Sequence, residues 1–132
     1  MEIQESNKWE GTLAQSDQGV EFLHNSIVQT LLLFAVFPLV LCAGLLLYFI
    51  RPGETSIILH YNVYFGVDLL GLWWQAYVLP ALGMLFIVGH YFLARRFYEH
   101  TERVACYLVL FSSGLLSLGV LVASMSVAFI NY

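Results

Sequence analysis

SIVQTLLLFAVFPLVLCAGLLLYFI, residues 26–50, holds no Asp, Glu, Lys, Arg or His. A hydrocarbon core of about 30 Å takes about 20 apolar residues of helix to cross, so this run is long enough to span a bilayer. Pro38 stands near its middle, withdraws the hydrogen bond to the Phe34 carbonyl and should kink the helix. Arg51, Pro52 and Gly53 end it sharply. Two further runs follow, at about 69–94 and 104–130. The second lacks Asp, Glu, Lys and Arg, with Pro80 as another kink site and His90 as its ionisable side chain. Three spans with short connections define the expected fold class: an all-α membrane protein with three transmembrane helices.

Composition agrees. Sixty per cent of the 132 residues are hydrophobic and 11% are charged, with a mean hydropathy of +0.78, far from an ordinary soluble domain. Little chain is left for a soluble catalytic domain. The net charge of -4 comes without a Lys/Arg cluster able to follow a phosphate backbone, which argues against nucleic acid as a partner. Cys42 and Cys106 differ in expected depth by roughly 15 to 20 Å and should stay separate thiols. Leu39, Val40 and Leu41 ahead of Cys42 look faintly like a lipoprotein cleavage site, but Leu41 is bulky where a small residue is needed.

Residues 1–25 read as a polar, acidic tail, with Glu2, Glu5, Glu10, Asp17 and Glu21 against Lys8. It lacks the basic start and cleavage site of a secretory signal, so the first span is expected to be retained. Residues 26–132 then form the membrane domain. Lys8, Arg95, Arg96 and Arg103 fall on one side of the spans and Arg51 on the other, which places the N-terminus in the cytoplasm and the C-terminus outside. Aromatic residues gather at the same levels. Tyr48, Phe49, Trp73, Trp74, Tyr77 and Tyr132 lie near the outer interface, and Tyr91, Phe92, Phe97, Tyr98 and Tyr107 near the inner one.

Between the first two spans the residues alternate from 56 to 65. Leu59, Tyr61, Val63 and Phe65 share one face with Ile57, and Gly66 closes the run, as in a half-buried extracytoplasmic strand. A lone strand needs its backbone paired. With no second strand apparent, a neighbouring copy or another protein is expected to complete it; irregular cover over the helix ends is the alternative. Asp68 stands where an N-cap for the second span is expected. Glu54, His60, Asn62 and Asp68 could instead form a polar cluster for a cation or lipid headgroup, although they fit no defined metal-ligand spacing.

The segment Leu59, His60, Tyr61, Asn62, Val63, Tyr64, Phe65, Gly66, Val67, Asp68 resembles that of small bacterial three-span membrane proteins carrying Leu-His-Tyr-Asn-x-Tyr-Phe-Gly-(Ile or Val)-Asp ahead of an aromatic-rich helix. The resemblance implies a bacterial plasma (inner) membrane and brings no activity with it.

His24 and His90 both fall near the inner interface and are weak candidates for haem ligation, in a layout similar to the membrane-anchor subunits of succinate dehydrogenase. That family's His-Arg-x-(Ser or Thr)-Gly pattern is missing, so no cofactor is expected. His100, in the basic loop, reads as a solvated surface residue. In the third span Ser113 to Ser117 and Gly119 to Ala123 have the four-residue spacing that lets helices approach closely, which makes this span the expected packing seam. The partner set is therefore the lipid bilayer with other membrane-protein subunits or copies of the chain. A structural or accessory subunit is the first functional reading, and a small oligomeric transporter or channel the second. A haem or quinone anchor ranks below them. An enzyme needs a nucleophile with a base, or paired carboxylates, at matched depth, and the chain offers none.

Overall fold

The computed structural model describes residues 21–53 and 56–132. Glu54 and all but the last five residues of the tail lie outside this set. A short 3₁₀ turn, Phe22–His24, leads into helix α1, Ser26–Phe49. Strands β1, Ile57–Asn62, and β2, Gly66–Gly71, form an antiparallel hairpin. A 3₁₀ turn, Trp73–Tyr77, then feeds helix α2, Val78–Glu99, and α3 runs over Arg103–Ile130. The molecule is mostly helical, and three of its helical segments are long and apolar enough to cross a membrane: Ser26–Phe49, Trp73–Glu99 and Arg103–Ile130.

Helix α3 is the middle of the bundle. It packs along most of α1 and of α2, whereas α1 and α2 touch each other over a short stretch. The residues it buries are Cys106, Leu110, Ser113, Gly114, Ser117, Ser124 and Ala128, a seam in steps of three, four and seven residues that keeps one face inward. In hydrocarbon no hydrophobic force drives helices together, so close van der Waals packing over small side chains has to do so. Gly114 is the closest approach. A Cβ there would collide with the ring of Phe34 from α1, and that ring stacks on Phe111 of α3 at 6.0 Å between centroids.

The core divides into three clusters along the bundle. Val28, Ala94, Cys106 and Leu110 join Phe22 at one end. Ala35, Leu39 and Ile87 fill the middle. Cys42, Leu46, Ile50, Ala76 and Ala128 pack beneath the hairpin. The two cysteines thus sit in different clusters as free thiols. Outward faces carry Leu33, Phe37, Leu85, Phe92, Leu108 and Val122, an apolar girdle suited to hydrocarbon.

Three expectations are corrected here. β1 does not wait for another chain, because β2 pairs with it across a three-residue loop. Gly66, at φ 81°, supplies the left-handed residue such a loop requires, and Asn62 Oδ1 accepts the Tyr64 N–H at 2.9 Å. The second helix starts at Val78 rather than near 69, since residues up to Gly71 are strand. Pro80 therefore lies in the first turn of α2, where its missing N–H costs nothing, and is no mid-helix kink.

Candidate functional site

Two register shifts shape the hairpin. Ile58 pairs with Leu70 and His60 with Leu69, while Tyr61 pairs with Val67, which leaves Leu59 on β1 and Asp68 on β2 as extra residues. Each bulge redirects a side chain. Leu59 turns toward the helices and lines the recess beneath the hairpin. Asp68, expected as a helix cap, instead accepts from His60 Nδ1–H at 2.7 Å, with both side chains substantially exposed. Of the anticipated polar cluster, His60 and Asp68 meet, Asn62 is engaged in the turn, and Glu54 is outside the described residues.

The bulge also breaks the one-faced alternation. Leu59 is half-buried and Tyr61 exposed, while Val63, Tyr64 and Phe65 at the hairpin tip are 84%, 90% and 86% exposed. Three consecutive apolar side chains thus project from the end of the molecule.

What fixes the hairpin to the bundle is Asn131, just past α3. Its Nδ2 donates to the Ile58 carbonyl at 2.7 Å and its Oδ1 accepts the Ile58 N–H at 2.8 Å. The side-chain amide stands in for the peptide of a third strand and closes part of the free edge of β1. A second Nδ2 bond, to the Val127 carbonyl at 2.8 Å, holds the amide on its own helix. Nearby, Tyr77 at the end of the 3₁₀ turn ties the approach to α2 to the end of α1 by donating its hydroxyl to the Ile50 carbonyl at 3.1 Å. Neither role was read from the sequence. The available signal was a lone polar amide directly after a long apolar helix.

Below the hairpin an apolar recess of about 460 Å³ opens between α2 and α3, lined by Leu59, Leu79, Ala123, Val127 and Ile130 with His60 and Tyr61 at its mouth. A second, of about 240 Å³, shares Leu59, Leu79 and Val127 with it and reaches Gln75 and Ser124. Ser124 is 1% exposed, and its hydroxyl finds no hydrogen-bond partner.

In α3 the anticipated seam splits. Ser113 and Ser117 are buried between the helices, and their hydroxyls donate to the Leu110 and Ser113 carbonyls at 2.6 and 2.9 Å. Gly119 and Ala123 lie exposed on the other side, and a Cβ on Gly119 would meet nothing within 4 Å. Gly119 therefore makes no close approach to another helix of the chain, while Ala123 lines the recess beneath the hairpin.

At the opposite end Asn25 caps α1 by accepting the Ile27 N–H at 2.9 Å. Its Nδ2 contacts the hydroxyls of Tyr107 at 3.0 Å and Tyr98 at 3.3 Å, so one side chain joins all three helices. Arg103 lies over the Tyr98 ring, 5.7 Å from its centroid. The two candidate haem histidines have separate engagements here. His24 pairs with Glu21 at 3.2 Å, and His90 Nδ1–H donates to the Phe86 carbonyl one turn back at 2.8 Å. His100 does the same to Arg96 at 2.8 Å. Among the described residues no three His, Cys, Asp or Glu side chains converge as they would around a metal ion.

No family model, curated protein or solved structure matches this chain.

Proposed function

We propose that this is a multi-pass protein of a bacterial plasma membrane, with its N-terminus in the cytoplasm and the hairpin and C-terminus outside. In this reading it serves as a structural or accessory subunit that assembles with a larger membrane complex through the hairpin. One observation carries the proposal: Val63, Tyr64 and Phe65 project almost wholly exposed from a hairpin that Asn131 holds to the helices. Apolar side chains displayed on an anchored element are the hallmark of a docking surface, because exposure to water disfavours them and anchoring removes the entropy cost of presenting them.

The transporter alternative has less behind it. A polar path needs side chains free to meet a passing solute, and the Ser113 and Ser117 hydroxyls are used within α3 and closed between helices.

Native mass spectrometry of the protein released from its own membrane in mild detergent tests the proposal, with a Val63→Ser, Tyr64→Ser, Phe65→Ser triple variant alongside. A foreign subunit in fixed stoichiometry is expected with the native chain and should be absent from the variant. A homo-oligomer without foreign protein, or a partner held equally by both, would remove the hairpin from the account.

A further inference from the structure

The two recesses under the hairpin share Leu59, Leu79 and Val127 and so form one groove with unlike ends. Its mouth carries His60, paired to Asp68. Its walls are mostly aliphatic, interrupted by Ser126 and Gln75. Its far part meets Ser124, whose buried hydroxyl has no partner, unlike Ser112, Ser113, Ser117 and Ser126, which all donate to carbonyls of their own helix. A buried hydroxyl left unpaired in an apolar setting is costly, so a bound acceptor is the natural completion. The volumes, about 460 and 240 Å³, are of the order of ligand sites, about 300–1,000 Å³.

Depth narrows the chemistry. The 28 residues of α3 measure about 42 Å at about 1.5 Å each, so centred on a core of about 30 Å the helix overhangs by about 6 Å at each end. Ser124 stands about 9 Å below Ile130, hence about 3 Å inside the hydrocarbon boundary. At that level a glycerolipid passes from polar ester carbonyls to apolar chain. We propose that the groove binds one diacyl phospholipid of the surrounding bilayer, with its glycerol end beneath Leu59 and Val127, an ester carbonyl accepting the Ser124 hydroxyl, and an acyl chain running deeper past Leu82. The His60 and Asp68 pair then borders the headgroup. This inference rests on the helices crossing a bilayer as proposed above.

The test reconstitutes the full chain in dioleoyl phosphatidylcholine vesicles, re-extracts it in mild detergent and counts retained phospholipid by native mass spectrometry. Ala123→Trp fills the groove from its exposed wall, and Gly119→Trp, one turn away in open space, is the control. One phospholipid per chain is expected in the native protein and the control, and none in Ala123→Trp. A second measurement needs no bulky residue: competition between diester and diether phosphatidylcholine of equal chain length. The native chain should favour the diester several-fold, up to about tenfold, the equivalent of one hydrogen bond, and Ser124→Ala should erase the preference. If Ala123→Trp fails to fold, the competition alone decides. No retained lipid, equal retention in Ala123→Trp, or a second copy displaced by it would each overturn the proposal. Release of the chain from vesicles by alkaline carbonate would instead overturn the membrane-spanning reading beneath it.

Discussion

Each end of this bundle is closed by an asparagine, and the two do different jobs. Asn25 sits among three helices, caps one and reaches the hydroxyls of tyrosines on the other two. Asn131 sits at an edge and binds a strand by copying the hydrogen-bond pattern of a peptide. The first end is tied by side chain to side chain over a cluster of Phe22, Tyr91 and Tyr98 rings, with Phe22 5.6 and 5.3 Å from the other two. The second is tied by side chain to backbone, and no residue of the hairpin strands is fully buried, with Ile57, Ile58 and Leu59 half-buried against the bundle. The difference teaches that one end is part of the fold, while the other is an appendage the fold presents.

The sharpest break in this arrangement comes from the seam that both ends depend on. Gly114→Leu would drive a side chain into the Phe34 ring and part α1 from α3, with an expected loss of about 3 kcal/mol by analogy with overpacked cores. Gly119→Leu adds the same side chain where nothing lies within 4 Å and should leave stability within about 0.5 kcal/mol. Thermal unfolding of both variants in detergent measures the contrast. A comparable loss in Gly119→Leu would mean that its face is covered by a second protein.

Asn25→Ala comes next. It removes a cap worth about 1 kcal/mol and a bond to each of two tyrosine hydroxyls, for an expected total of about 2 kcal/mol. Asn25→Ser keeps a capping oxygen but is too short to reach the tyrosine hydroxyls, so it should recover about half. If Ser recovered everything, the inter-helix bonds would be idle.

Asn131→Ala should look different in kind. Global unfolding should move by no more than about 1 kcal/mol, because the helices keep their packing. Locally, the Ile58 amide loses its acceptor, and its hydrogen exchange should rise toward that of a free edge. Unchanged protection at Ile58 would show that the hairpin is held by something other than this amide.

The contrast between the ends also explains what the sequence reveals. The first and third helices match expectation closely, 26–50 against Ser26–Phe49 and 104–130 against Arg103–Ile130, because charge-free apolar runs of that length have one outcome. The second does not. Val67, Leu69, Leu70 and Leu72 form an apolar run that reads equally as strand or helix start, and tertiary pairing with β1 decides for strand. Gly66, separated from Asn62 by three residues, was the legible sign of a hairpin. At the other end α2 continues past Ala94 through charged residues, since Arg95 and Glu99 pair one turn apart at 2.9 Å. In α3 the four-residue spacings of Ser113 with Ser117 and of Gly119 with Ala123 look alike in sequence, yet one pair faces inward and one outward. Spacing specifies a face; only the three-four steps through Cys106, Leu110, Ser113 and Ser117 specify which face is buried.

The smallest effect belongs to the His60 and Asp68 pair, and it is the most informative about docking. Both side chains are open to solvent in the isolated chain, so their coupling should be about 0–1 kcal/mol in a double-mutant cycle of His60→Ala and Asp68→Asn in detergent. Coulomb attraction grows as water is excluded. If the hairpin is covered in its native assembly, the same cycle measured in the parent membrane, with hairpin hydrogen exchange as readout, should give a larger coupling than in detergent. Equal coupling in both settings would mean that the pair stays wet, and that whatever the tip touches leaves this side of the hairpin open.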